Sequence, residues 1–287
     1  MAFTKKGDVF VPEMFVEAIQ AGFSGMEVMG KTGAVIVNTS MPYGGSNVGE
    51  SVKIPYFSNI GELEDLTNDG DALTPVGITS SQETATVQHS GKAIEATWWA
   101  QMSAVSDPYA EAARQMLEAV QRRAMKAAID LCNTDANLLE LDVTGSSTKL
   151  DYDVMIDAKL KFGDEDDGIA ALVVHSKAKA DLRKLKSSTG VPLFIDGING
   201  DVDRFTGVPV FTSDRMRVSG GNYTSLVLKR GSIVIWLNGQ PIVLTDKDIL
   251  ANSDVQAVHI YWAAHAYKRL PGRTKPGVCR ILHKVGS

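Results

Sequence analysis

Three acidic runs carry enough oxygen donors to suggest a cation site. Asp164, Glu165, Asp166 and Asp167 precede Gly168; Asn68, Asp69 and Asp71 surround Gly70; Asp201 and Asp203 follow Gly200. A calcium loop of the EF-hand kind closes with a bidentate Glu at its twelfth position. Counting from Asp164, that position holds His175, so the pattern fails, and ordinary turn chemistry accounts for Asp beside Gly. His89, His259 and His265 fall in strand-like sequence with no Cys or carboxylate at metal-ligand spacing. His259 and His265 share a strand face but stand about 20 Å apart, too far for a catalytic pair built from those two alone. Cys132 and Cys279 occur in helical and strand contexts, unspaced, and read as buried thiols. No nucleophile elbow, phosphate-binding glycine loop or zinc-protease helix is present. The sequence nominates no catalytic, metal-binding or cofactor-binding residue, and no enzyme activity is expected.

The most informative stretch is residues 49–100. Its outgoing arm, 49–61, carries Val52, Ile54, Tyr56 and Phe57 among polar neighbours. The return arm, 78–99, alternates β-branched and small residues through Thr84, Thr86, Val87 and Ile94. Both arms favour extended chain, and an isolated two-stranded ribbon is marginal in water. The ribbon is therefore expected to lie on another copy of the protein. Of Trp98 and Trp99, neighbours on a strand, one is expected to face the core and the other a neighbouring subunit.

Charge is distributed unevenly. Between residues 50 and 71 stand Glu50, Glu62, Glu64, Asp65, Asp69 and Asp71 against the single base Lys53, while the whole chain has a formal net charge of −5. After Asp254 there is no acid, only Lys268, Arg269, Arg273, Lys275, Arg280 and Lys284. Such asymmetry concerns association, not fold. The mildly acidic balance argues against tight general nucleic-acid binding by the chain as a whole, though not against a local basic face. No window reaches the roughly 20 apolar residues needed to span a bilayer, and residues 1–7 lack an apolar signal core. Apolar and charged fractions are those of a globular protein, long enough at 287 residues for one large or two ordinary domains.

Residues 1–48 read as an arm, with a short amphipathic piece over 12–23 followed by Gly-, Ser- and Asn-rich extended chain. The clearest helix follows the ribbon. Asp107 is its expected cap and Pro108 its first residue, and Ala110, Ala113, Leu117, Val120, Ala124, Ala127 and Leu131 form an apolar stripe over about 39 Å. Residues 150–245 alternate helix and strand, with Asp151 and Ser176 as expected caps. Long strands over 255–269 and 278–283 close the chain. The helix and closing strands bracket the middle, which predicts an elongated unit with 150–245 inserted as a second.

That order resembles the major capsid proteins of tailed phages, of the Hong Kong 97 type. Residues 49–55 (GESVKIP) look like the start of that family's extended loop, and Glu64-Asp65-Leu66 through Asp71-Ala72-Leu73-Thr74-Pro75 like its tip. Ser106-Asp107-Pro108 looks like the start of its spine helix, and Gly207-Val208-Pro209-Val210-Phe211 with Ser213-Asp214 like a strand of its axial domain. The resemblance implies an α+β fold divided into an N-terminal arm (1–48), an extended β-hairpin loop (49–100), a peripheral domain with the spine helix (101–149 and 246–287) and an axial domain (150–245). It implies a structural subunit of the icosahedral phage head, made in the bacterial host cytoplasm. The implied partners are further copies in hexamers and pentamers, with non-specific contact to packaged double-stranded DNA. A separate scaffold, a portal and a cement protein complete the set; no cofactor and no membrane are involved.

On this reading the ribbon of one copy lies across its neighbour's spine helix and closing strands. Ile54, Phe57 and Leu66 supply apolar contact, while Glu62, Glu64, Asp65, Asp69 and Asp71 meet Arg122, Arg123, Lys268 or Arg269. Exposed ion pairs contribute only about 0–1 kcal/mol each, so charge sets register more than affinity. Two other readings stand beside it: an encapsulin-like compartment holding a cargo enzyme, and a soluble enzyme with its site in 150–245.

Overall fold

The computed structural model describes residues 28–40, 51–57, 60–61, 63–65, 72–103, 108–146, 148–197, 202–216, 218–237, 241–270 and 273–284. The amphipathic piece over 12–23, the Asp107 cap and the turn at 68–70 lie outside them. The chain runs β1 (Val35–Asn38), β2 (Ser51–Phe57), β3 (Ser80–Thr97), α1 (Trp98–Ser103), α2 (Pro108–Thr134), β4 (Leu139–Asp142) and α3 (Tyr152–Leu160). It continues through β5 (Ile169–Val174), α4 (Ser176–Lys184), β6 (Phe194–Ile195), β7 (Arg204–Phe205), β8 (Val208–Thr212) and β9 (Val218–Ser219). The last strands are β10 (Asn222–Lys229), β11 (Ile233–Leu237), β12 (Ile242–Asp248), β13 (Ser253–Ala266) and β14 (Val278–Lys284).

Two mixed sheets result. One is ordered β1-β11-β13-β3-β2, with β12 also paired to β13; the other is ordered β4-β14-β10-β5-β8-β7-β6, with β9 on β10. The long helix α2 binds the two together. Its Met116, Ala124, Met125, Ala128 and Cys132 share one core with Val258, Ile260 and Trp262 of β13 and with Leu226 and Leu228 of β10. The alanines remove side-chain bulk where helix and sheet backbones must approach. The other face of the second sheet meets α3 and α4: Val227, Cys279 and Ile281 pack with Met155, Phe162 and Leu182. Strand β10 is thus buried on both faces, with Leu226 and Leu228 toward α2 and Val227 away from it, as the two-residue period requires. Helix α3 is capped by Asp151, which accepts from Val154 N–H at 2.9 Å. Helix α4 is capped one residue earlier than expected: the His175 ring accepts from Lys177 N–H at 3.2 Å.

Sheet membership does not follow a division at residues 150 and 245. Strand β14 joins β10 and β4, while β11 joins β13. Periodicity shows that a strand is half-buried or buried but not which partner it selects.

The ribbon departs from expectation at its base. Residues 80–86 of β3 pair with β2, but residues 87–97 pair with β13 of the same chain. Val52 and Ala85 are buried against Val234, Trp236 and Ala263. Not all of 49–100 therefore needs a sister copy: residues 51–57 and 80–97 pair within their own subunit, and the root is an inner strand of it. Trp98 and Trp99 also differ, since they open the short helix α1 instead of ending a strand, and both are exposed.

Candidate inter-subunit surface

Three places define what this subunit can present to others. The first is the outer part of the ribbon. Phe57 is 74 % exposed, Leu63 is 98 % exposed, and Ile60, Leu73, Val76 and Ile78 are also open. Glu64 accepts from Thr74 N–H at 3.2 Å, which ties the two arms together near the tip. Asp65 is exposed. Scattered exposed apolar residues are ordinary, but this many along one thin ribbon mark an interaction surface.

The second is the ribbon root. A cleft of about 630 Å³ opens between Ile54, Pro55, Tyr56 and Phe57 on one side and Tyr267, Arg269 and Arg273 on the other. The Arg269 guanidinium sits 5.8 Å from the centre of the Tyr56 ring. Inside, Glu83 and His265 form a buried pair, and Lys268 N–H reaches the same Glu83 oxygen at 3.4 Å. Burial and the Glu83 charge together push the Tyr267 phenol above its ordinary range.

The third lies at the opposite end of β3. Asp248 accepts from the N–H groups of Leu250 and Ala251 at 2.9 and 3.1 Å, fixing the turn between β12 and β13. That turn projects Ile249 and Leu250, the latter 99 % exposed. Trp98 N–H donates to Asn252 carbonyl at 3.0 Å, which sets α1 against the turn, with Trp99 and Met102 exposed as well. An apolar pair at a position where turns normally carry polar residues was a readable sequence signal for this patch.

The expected contact residues divide accordingly. Phe57, Glu64 and Asp65 lie on the open ribbon; Ile54 is half-buried against its own subunit's core. Arg122 pairs with Glu118 one turn away at 3.2 Å. Arg123 donates to Gln88 at 3.1 Å and lies 5.3 Å from the Trp262 ring centre. Lys268 and Arg269 flank the root cleft. Glu62, Leu66, Asp69 and Asp71 lie outside the described residues. What sequence reasoning missed is Glu83, His265 and Tyr56 at the root, and Ile249 and Leu250 at the far turn.

Where they are described, at 164–167 and Asp203, the acidic runs serve the fold. Asp167 is gripped by both terminal nitrogens of Arg273, which holds its carboxyl below the usual range. For Glu165 burial acts upward, but hydrogen bonds from Thr274 at 2.7 and 2.8 Å prevail and its carboxyl also sits low. Asp203 is held low by Lys179. Among the described residues no three metal-ligating side chains converge. Burial pushes the thiols of Cys132 and Cys279 up to about 12.

Residues 78–258 match the family described as Major capsid protein 13-like (Gp13-like). The chain belongs to this family. The major capsid protein of Bacillus phage SPP1 is 24% identical over 283 residues, covering 92% of this chain and 86% of that one. Among solved structures, the capsid of Ralstonia phage GP4 superposes with a TM-score of 0.63 at 11% identity, covering 88% of each chain. The holo-SrpI encapsulin complex from Synechococcus elongatus gives 0.59 at 15% identity, covering 73% of this chain and 79% of that one. The fold is of the Hong Kong 97 type, with two mixed sheets.

Fold likeness alone does not separate a phage head from an encapsulin, because both kinds of shell share it; the family match does. The major capsid protein is a structural component of the virion that builds the phage icosahedral head, and it is not an enzyme. Capsid assembly implies self-association of such subunits.

Proposed function

We propose that copies of this capsid protein form hexamers and pentamers in which the outer ribbon of one subunit lies over the next. One observation supports this most strongly: from Phe57 to Ile78 the ribbon exposes apolar side chains that its own subunit does not cover. A contact in which one patch meets a different patch on the next copy makes a ring when its rotation closes. Rings alone do not make a shell, so a second, independent contact is required. The turn at Ile249 and Leu250, with Trp99 and Met102, supplies it between rings. The two patches lie at opposite ends of β3, an 18-residue strand spanning about 60 Å, so one contact cannot serve for the other.

On the same reading residues 49–100 act as the extended loop, α2 as the spine, and 150–245 as an axial unit that shares its sheet with β14. Acidic groups of the tip, Glu64 and Asp65 among those described, set register against a neighbour's basic groups. Arg122 is the most available of these, since its pairing with Glu118 is a surface contact worth only about 0.3–0.5 kcal/mol. Packaged double-stranded DNA contacts the inner face without sequence preference, and a separate scaffold, a portal and a cement protein act as partners. The test is removal of residues 58–79, followed by sedimentation and electron microscopy. A folded subunit that no longer forms rings or shells is the expected result; normal shells from the shortened chain would refute the ribbon contact.

A further inference from the structure

Strand β3 carries a bare edge. Its residues 80–86 pair with β2 and its residues 87–97 with β13, in a register without a shift. Among the described residues no strand pairs with 87–95 on the side away from β13. Alternate residues there direct N–H and C=O outward, and residues 88, 89, 91–93 and 95 are exposed. Proteins usually blunt such an edge with proline, a bulge or a covering segment; residues 87–95 contain no proline and no bulge. The preceding chain of the same subunit cannot cover it. Asn38 pairs with Trp236, Trp236 with Ala263 and Ala263 with Val87, while Ser51 pairs with Thr86. Residues 39–50 thus join two points at the start of the edge and extend at most about 47 Å. A path out to Glu95 and back needs about 55 Å or more.

The outer ribbon holds a segment that fits. Val76, Gly77 and Ile78 are exposed, and among the described residues their backbone groups take no hydrogen bond. The Thr74 N–H is already taken by Glu64. Pro75 has no N–H, so it suits an added strand only where its amide faces away from the partner. That phase puts Val76 and Ile78 in the paired positions, with both side chains on one face.

We propose that residues 76–78 of a second copy add as a strand to the bare edge of β3 at 87–95. The inference rests on the ribbon contact proposed above and gives it a mode: main-chain pairing supplies affinity, and alternate side chains supply specificity. Beside the edge, on the α2 side of the sheet, lies a cavity of about 390 Å³ between α2 and β3. Met116, Ala119 and Val120 make it apolar, which suits Val76 and Ile78. Its charged lining residues are the cations Lys92 and Arg123, opposite in sign to Glu64 and Asp65 on the other arm of the ribbon.

Amide hydrogen exchange on unassembled subunits and on assembled shells tests this, for the wild type, Val76→Pro and Gly77→Pro. In the wild type, assembly is expected to slow exchange by at least about tenfold at Val76, Ile78 and alternate residues of 87–95. Val76→Pro deletes a paired N–H and should lose the slowing at 87–95 or the shells themselves. Gly77→Pro, whose amide faces away, should keep both. Unchanged exchange at 87–95 in wild-type shells overturns the proposal. So does slowing there that persists in Val76→Pro, which would place a different strand on the edge, and so does an equal loss in both variants. Wild-type shells with 87–95 unprotected end this inference alone and leave the ribbon contact standing; normal shells after removal of residues 58–79 end both.

Discussion

Glu83 and His265 meet at the ribbon root with both side chains buried, although 182 residues separate them in sequence. Removing one partner strands the other without water. Glu83→Ala is expected to cost about 3–5 kcal/mol in chemical denaturation. Glu83→Leu combined with His265→Leu should recover most of it, since a packed apolar pair leaves no group unsatisfied. A double variant as unstable as the single one would show that the pair is not what holds the root.

Trp262 fills the space between α2 and the first sheet, is 1 % exposed, and donates from its indole N–H to Ser90 at 3.0 Å. Trp262→Ala leaves a large hole beneath the helix and an orphaned hydroxyl beside it. A loss of about 3–5 kcal/mol is expected, seen as a lower urea midpoint with an unchanged slope.

The far turn should behave in the opposite way. Leu250 touches little of its own subunit, so Leu250→Asp is expected to change stability by no more than about 0.5 kcal/mol. Rings should still form, and electron microscopy should find them without closed shells. Complete heads from this variant would remove the turn from the assembly contacts.

Acid sensitivity has a defined sign at Asp167. Its folded pKa is depressed by Arg273, so the stabilisation is present above the ordinary carboxylate value and is lost as pH falls through the lower folded one. In Asp167→Asn the loss of stability below about pH 4 should be smaller than in the wild type, measured by thermal melting across pH. An unchanged acid limb would show that the Arg273 contact contributes nothing.

The two thiols should be inert. With Cys132 and Cys279 buried and their pKa values near 12, almost no thiolate exists at about pH 8. A maleimide should label neither in the native subunit and both in denaturant. Native labelling would place a cysteine at the surface.

Elements were legible in the sequence wherever a local rule determines them. The stripe of α2 follows from alanine and leucine at three- and four-residue steps, and the Asp151 cap from one side chain satisfying one N–H. The alternation of β13 announced a long strand, and the order of elements was enough to suggest a shell protein. None of these depends on what lies across the core.

Partner choice was not legible. Nothing in 78–99 states that its second half pairs with β13 while its first half pairs with β2, because alternation specifies a face and not a neighbour. Glu83 reads in sequence as one more polar ribbon residue; only the docking of Val52 and Ala85 under Trp236 brings it to His265. His89 and His259, on separate strands, become a pair solely through the register that sets His89 opposite Tyr261. Local sequence determined the pieces of this capsid protein because short-range sterics and burial act within a few residues. The tertiary structure decided which charges and rings meet, because that depends on long-range strand register.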